Sequence, residues 1–319
     1  MMANVRLGCS ERTATLAGHG RLALATGCLA LSAAGVAGCE THRFDGERAQ
    51  RSIEQQVSFG PRVPGSEAHA ECGQWLADEL ARHAESVEVL PFDVEVAGRS
   101  LKLLNIEARF NPELGERVLL GAHWDSRPIS ERDPDRARRG EPTPGANDGG
   151  SGVAVLLEIA RLLGESELEL GVDLVLFDGE DYGDFAQGFA QTLLGSQRYA
   201  ADLDVAAYRY AVVLDMVGRR GLVLRKEGYS LKCCRELMER IWAIAAETGK
   251  SATFQDAVVS EVFDDHIPLQ RAGLKAIDLI DLTDPHWHTT SDTPEHTSPE
   301  SLEAVGSVIW ELLRREVRR

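Results

Sequence analysis

Short apolar strands that each end in a carboxylate or an imidazole constrain this chain more than any other feature of its sequence. In VDLVLFDGEDYG, residues 172–183, apolar and β-branched residues fill the strand, and Asp178, Glu180 and Asp181 follow directly. Clustered carboxylates repel one another and resist leaving water, so a buried group of them must take up protons or meet a cation. No Lys or Arg lies between Val172 and Gln197. Two readings follow: a bound metal ion, or a solvent-facing acidic turn.

The same strand type recurs in RVLLGAHWD, YAVVLDMVG and LKAIDLID, and VEVLPFDVEV with LKLLNIEARF reads as a strand pair. Helical spacing of apolar residues appears from Ala70 to Ala84, in SGVAVLLEIARLLG, through the 190s and in LKCCRELMERIWAIAAETG. A last helix is expected from Ser298, with Pro299 in its first turn, to about Glu316. Residues 40–57 read as a polar stretch, and SFGPRVPGSEAHAE carries the Pro and Gly that break a helix. Buried strands interleaved with helices predict an α/β fold: a single-domain three-layer α/β/α sandwich over residues 45–319, with a mixed, centrally parallel β-sheet.

The N-terminus has its own signature. Arg6, Arg12 and Arg21 precede LALATGCLALSAAGVAG, too short and too rich in Ala and Gly for a membrane span but suited to the apolar region of a secretory signal. Val36-Ala37-Gly38-Cys39 resembles a bacterial lipobox, which implies a signal peptide over residues 1–39, lipid on Cys39 and an exported, membrane-anchored domain facing the periplasm or cell exterior. An ordinary signal with a chance Cys is the competing reading. The net charge is −17, and removing three Arg and one Glu with residues 1–38 leaves about −19, which excludes a nucleic-acid partner. Cys72, Cys233 and Cys234 form no metal-type pair, and buried apolar thiols are expected, with a bridge from Cys72 to either neighbour left open.

The strand ends assemble a constellation. His123 and Asp125, Glu180 and Asp181, Asp215, and His288 in DPHWHTTSD all lie at or just beyond strand C-termini, where α/β proteins place their sites. PGANDGGSGVAVLLE adds Asp148 in a Gly-rich turn before a helix. Imidazole and carboxylate are ordinary zinc ligands, and a catalytic zinc keeps a position open for water or substrate.

In order along the chain, HWD, PGANDGGSG, FDGEDYG, LDMVG and WHT resemble the motifs of the zinc-dependent M28 peptidase superfamily, from GPRVPGS near residue 60 to the last helix. FDDHIPLQRAG, PHWHTTSD, HWDSRP and GEDYG are similar to the glutaminyl-peptide cyclotransferases, bacterial ones in particular. The resemblance implies that Asp148, Asp181 and His288 bind zinc and that Glu180 is the general acid/base. It places Asp215 and Asp265 around the reacting groups, with Trp287 and Asp264 lining the substrate pocket. Asp178 matches no catalytic role, Trp287 alone would read as packing, and Asp264, Asp265 and His266 alone would read as a helix-capping turn.

A cyclotransferase would take peptide or protein N-termini beginning with Gln and use one zinc ion. A dinuclear aminopeptidase would use two, with His123 and Asp215 holding the second and Asp148 bridging. A third reading is a surface-anchored binding domain without activity. GDFAQGFAQTLLGSQ departs from the cyclotransferase pattern, having Phe185 and Phe189 where a tryptophan-bearing segment is expected.

Overall fold

Alternating side chains along the central strands build two cores. The computed structural model describes residues 42–96, 98–183 and 189–317, so the expected signal segment, Cys39 and Phe185 lie outside the described residues. Its elements are α1 (Gly46–Ser58), α2 (Glu67–Leu80), β1 (Ser86–Val96), β2 (Arg99–Phe110), β3 (Arg117–His123), α3 (Gly150–Glu165), β4 (Val172–Phe177) and α4 (Leu194–Ala201). Then follow β5 (Tyr208–Asp215), β6 (Leu224–Lys226), α5 (Gly228–Glu247), β7 (Phe254–Val258), α6 (His266–Ala272), β8 (Ala276–Ile280) and α7 (Pro299–Glu316).

The main sheet has six strands in the order β1-β2-β4-β3-β5-β8. Strands β4, β3, β5 and β8 run parallel, while β1 and β2 form the expected antiparallel pair and join β4 antiparallel. Every residue of β3 and β4 is buried, as strands covered on both faces require. Val118, Leu120, Ala122, Leu174, Leu176, Val212 and Leu214 share one core with α3, α5 and α7. Their neighbours Leu119, Val175, Phe177, Ala211 and Val213 share the other with Leu269 of α6, and Tyr199 of α4 packs at its margin. Each fully buried Val, Leu or Phe contributes about 1.5–3 kcal/mol of transfer free energy. The mixed, centrally parallel three-layer sandwich is the fold expected from the sequence.

Three local expectations need correction, and one small sheet was not foreseen. The polar stretch after residue 40 contains α1, capped by Asp45, and its buried face combines Ala49 and Ile53 with Gln50 and Gln56. Those glutamines hydrogen-bond Thr297 Oγ1 at 2.8 Å and Gly150 O at 3.0 Å, so a helix with few apolar residues still docks. Strands β6 and β7 form a separate two-stranded sheet. Asp265 occupies the N-cap position of α6, but its side chain makes no capping bond, so it is not there to cap. Finally, Cys233 and Cys234 are disulfide-bonded to each other, Cys233 is exposed, and Cys72 is a free, buried thiol. Among the described residues no helix is long and apolar enough to cross a membrane.

Candidate metal centre

The parallel strands deliver their C-terminal groups to one edge, where two triads share a residue. His123 ends β3, Asp215 ends β5, Glu180 and Asp181 follow β4, and His288 follows β8. His123 Nε2 lies 3.1 Å from both Asp148 Oδ1 and Asp215 Oδ1. His288 Nε2 lies 3.5 Å from Asp148 Oδ2 and 3.3 Å from Asp181 Oδ1. Within each triad the candidate ligand atoms fall within 4.8 Å of one another. Asp148 therefore turns one oxygen to each imidazole.

The turn that presents Asp148 is shaped by its glycines. Gly149 has φ +78°, and a Cβ there would meet Asp125 O at 2.5 Å, so only glycine allows the close approach. At Gly152, in the first turn of α3, a Cβ would lie 2.1 Å from Leu214 O, so the helix packs directly on β5. His288 and Met216 are held at φ +56° and +47°, left-handed conformations unusual for such residues and common where a site over-determines its backbone.

The donor set fits zinc. Asp148 Oδ2 and Asp181 Oδ2 are buried without a hydrogen-bond partner, and both belong to the triad that contains His288. Burial opposes charge on His288, but Asp181, Glu131 and Asp148 lift its pKa to about 10. Burial and Asp181 push Asp148 up to about 6. Burial also opposes ionisation of Asp181, yet His288 and Arg127 hold it well below the usual carboxylate range. The two unpartnered buried oxygens beside the His288 imidazole can accept a cation, and nitrogen and oxygen donors of this kind suit zinc.

Glu180 stands apart from both triads. It is buried, and desolvation raises its pKa well above normal against the pull of His123, with Asp181, Asp264 and Asp265 raising it further. Burial also drives Asp264 well up and Asp265 to about 7. Ser196 Oγ donates to Asp265 Oδ1, leaving the buried Oδ2 without a partner. Trp287 is half-buried, its ring 4.4 Å from that of His288.

Several supports escaped the sequence reading. Asp125, read as a possible ligand, instead accepts the backbone N–H groups of Glu180 and Asp181 at 3.0 and 3.2 Å. Asp181 has a cationic neighbour after all, Arg127, whose Nη1 donates to Oδ1 at 3.0 Å across 54 residues of sequence. Glu131 Oε1 lies 2.7 Å from His288 Nδ1, which orients the ring. Asp292 holds the Asp148 turn, and Asp284 accepts from Asn147 Nδ2 at 2.7 Å. Asp178 Oδ1 lies 2.9 Å from His69 Nε2, and its Oδ2 accepts from Leu104 N at 2.7 Å, tying the end of β4 to α2 and β2. Only SERD beside HWDSRP and TTSD beside WHT hinted at Glu131 and Asp292, by proximity to the motifs.

Residues 105–313 match the model of Peptidase family M28. A crystal structure of Tannerella forsythia glutaminyl cyclase is similar at 40% identity and TM-score 0.81, covering 85% of this chain and 99% of that one. A Zn-dependent exopeptidase from Parabacteroides distasonis ATCC 8503 has 37% identity and TM-score 0.81, covering 85% and 98%. The aminopeptidase YwaD of Bacillus subtilis (strain 168) is 26% identical over 236 residues, 69% of this chain, and the chain spans 45% of that relative's length. With the family match over most of the chain, the shared sheet and the two triads, the protein belongs to peptidase family M28, a family of zinc enzymes.

Proposed function

We propose that the protein is a glutaminyl-peptide cyclotransferase, converting an N-terminal Gln of peptides or proteins to pyroglutamate with release of ammonia. The observation that carries this reading is Asp265, a buried carboxylate fixed by Ser196 with one oxygen free, beside Glu180 and Asp215. Such a group accepts a hydrogen bond from the substrate's amine or from the departing amide nitrogen. Similarity to solved glutaminyl cyclases over nearly their whole length supports it.

Asp148, Asp181 and His288 would hold zinc, which supplies Lewis-acid polarisation of the γ-amide carbonyl. Glu180 accepts a proton as the α-amine nitrogen bonds to the γ-amide carbon, and returns it to the leaving nitrogen as the C–N bond breaks. Burial raises its affinity for that proton above that of an ordinary carboxylate. Asp264, Asp265 and Trp287 orient the amine and the side chain, so that the intramolecular attack begins from a folded conformer.

A second reading is favoured by one observation: His123, Asp148 and Asp215 form a complete second triad. Two zinc ions bridged by Asp148 would suit an aminopeptidase, with Glu180 as general base. The deciding experiment offers zinc-loaded protein from residue 40 a Gln-initiated and a Leu-initiated peptide, with mass spectrometry and a chelator control. Chelator-sensitive loss of ammonia from the Gln peptide alone supports the cyclotransferase, and release of free Leu overturns it. Zinc retained through dialysis with neither peptide turned over would make this a binding domain.

The lipobox-like segment supports export and anchoring through Cys39. Detergent-phase partitioning of the full chain, abolished in Cys39→Ser, is the expected result, and equal partitioning of the two proteins would remove the anchor.

A further inference from the structure

Resting on the site just described, we propose that Arg132 makes the enzyme select N-termini that carry a carboxylate at the second or third residue. The segment bearing Arg132 is pinned against the metal-ligand loop at three successive residues. Glu131 Oε1 lies 2.7 Å from His288 Nδ1, Arg132 N donates to His288 O at 3.1 Å, and Asp133 Oδ2 accepts from Thr290 N at 3.0 Å. From this fixed backbone the exposed guanidinium stacks on the Trp287 ring, with Cζ 4.1 Å from the centroid.

Stacking orders the guanidinium without using its in-plane N–H donors, which stay available for bidentate pairing with a carboxylate. No carboxylate of the described residues lies within 4.0 Å of them. Neighbouring Arg127 and Arg138, in contrast, are paired with Glu131 and Glu141.

Charge placement supplies the substrate class. The interior presents the buried carboxyl groups of Glu180, Asp215, Asp264 and Asp265, which can accept hydrogen bonds from an α-amine, while the Trp287 side presents an exposed guanidinium. A peptide whose terminal amine enters the interior and which carries a carboxylate just behind it matches that arrangement. The His288 ring and Arg132 Cζ lie 4.4 and 4.1 Å from the Trp287 ring centroid, so they are at most about 8.5 Å apart, a span of two to three extended residues at ~3.3–3.6 Å each. The −17 net charge repels acidic peptides at long range, so the preference must arise locally.

The test compares kcat/KM for C-terminally amidated pentapeptides beginning with Gln and carrying Glu, Gln or Lys at positions two and three. In the zinc-loaded protein at low ionic strength, the Glu-to-Gln ratio should be about two- to fivefold, the range of a well-placed exposed ion pair, and should shrink in high salt. In Arg132→Gln it should fall to about one or below, and Arg132→Lys should retain part of it. A wild-type ratio of one, or an unchanged ratio in Arg132→Gln, overturns the proposal. If Gln peptides release no ammonia, the cyclotransferase reading fails separately, and the same series headed by Leu gives the ratio from released Leu. If neither series reacts, dissociation constants of these peptides measured by calorimetry decide it by the same ratios.

Discussion

Asp292 holds Asp148 by its backbone: Oδ2 accepts the Asp148 N–H at 3.1 Å while Oδ1 accepts that of Asn147 at 2.8 Å. The carboxylate shared by the two triads is thus aimed by a residue only four positions after His288. Asp292→Ala should weaken zinc binding about 10–100-fold, the usual effect of losing an outer-shell partner, with far-UV circular dichroism unchanged. Competition against a chromophoric chelator measures this, and wild-type affinity would show that the turn holds its shape unaided.

Glu180→Gln should keep zinc and lose turnover by about 10²–10⁴-fold, because the amide cannot carry the proton between nitrogens. Zinc content by elemental analysis and ammonia release are measured on the same sample. Near-normal activity would assign the shuttle to another group.

Removing a ligand should act on metal first. Asp181→Ala and His288→Ala should each lose zinc on dialysis, since coordination needs the full set. His123→Ala separates the two reactions: an enzyme with one zinc keeps its stoichiometry, whereas a dinuclear one drops by one zinc per chain. Unchanged zinc in both Asp181→Ala and His288→Ala would dismiss the proposed ligands.

Gly152→Ala should cost about 1–3 kcal/mol, because its Cβ would meet Leu214 O at 2.1 Å and neither α3 nor β5 can retreat without opening the core. A thermal midpoint lower by several degrees is expected. An unshifted midpoint would mean that α3 docks loosely.

Acid sensitivity should trace in part to Glu227. It caps α5 through Tyr229 N and Ser230 N and also accepts from Val262 N at 2.8 Å, tying down the loop before Asp264. Burial works against its charge, but His266, Ser230 and these backbone N–H groups hold its pKa at about 2, below the ordinary 4.5. The folded-state value is depressed, so the stabilisation is complete above about pH 4.5 and is lost as pH falls towards 2. That amounts to on the order of 3 kcal/mol at neutral pH. Urea midpoints of Glu227→Gln should fall below wild type at pH 7, with the gap narrowing below about pH 4.5 and closing only near pH 2. A constant gap would refute the assignment.

The strand ends were legible because burial on both faces forces β3 and β4 into continuous apolar runs, which makes a terminal His123 or Asp181 conspicuous. Helix α1 was not, since its buried face uses Gln50 and Gln56, whose partners lie 247 and 94 residues away. The disulfide between Cys233 and Cys234 was hidden by a helical pattern that breaks at Cys234, where φ is −141° and ψ 44°.

Local periodicity, turn chemistry and ordered motifs therefore determined the α/β class, the family resemblance and the candidate ligands Asp148, Asp181 and His288. Tertiary structure alone decided which groups face one another: that Asp148 serves both imidazoles, that Arg127 reaches Asp181, that Asp125 and Asp292 hold backbone and that Arg132 lies over Trp287. The physical reason is range. Helix and strand patterns arise from neighbours within a few residues, whereas charge compensation and ligand aim depend on distances in space that chain order leaves open.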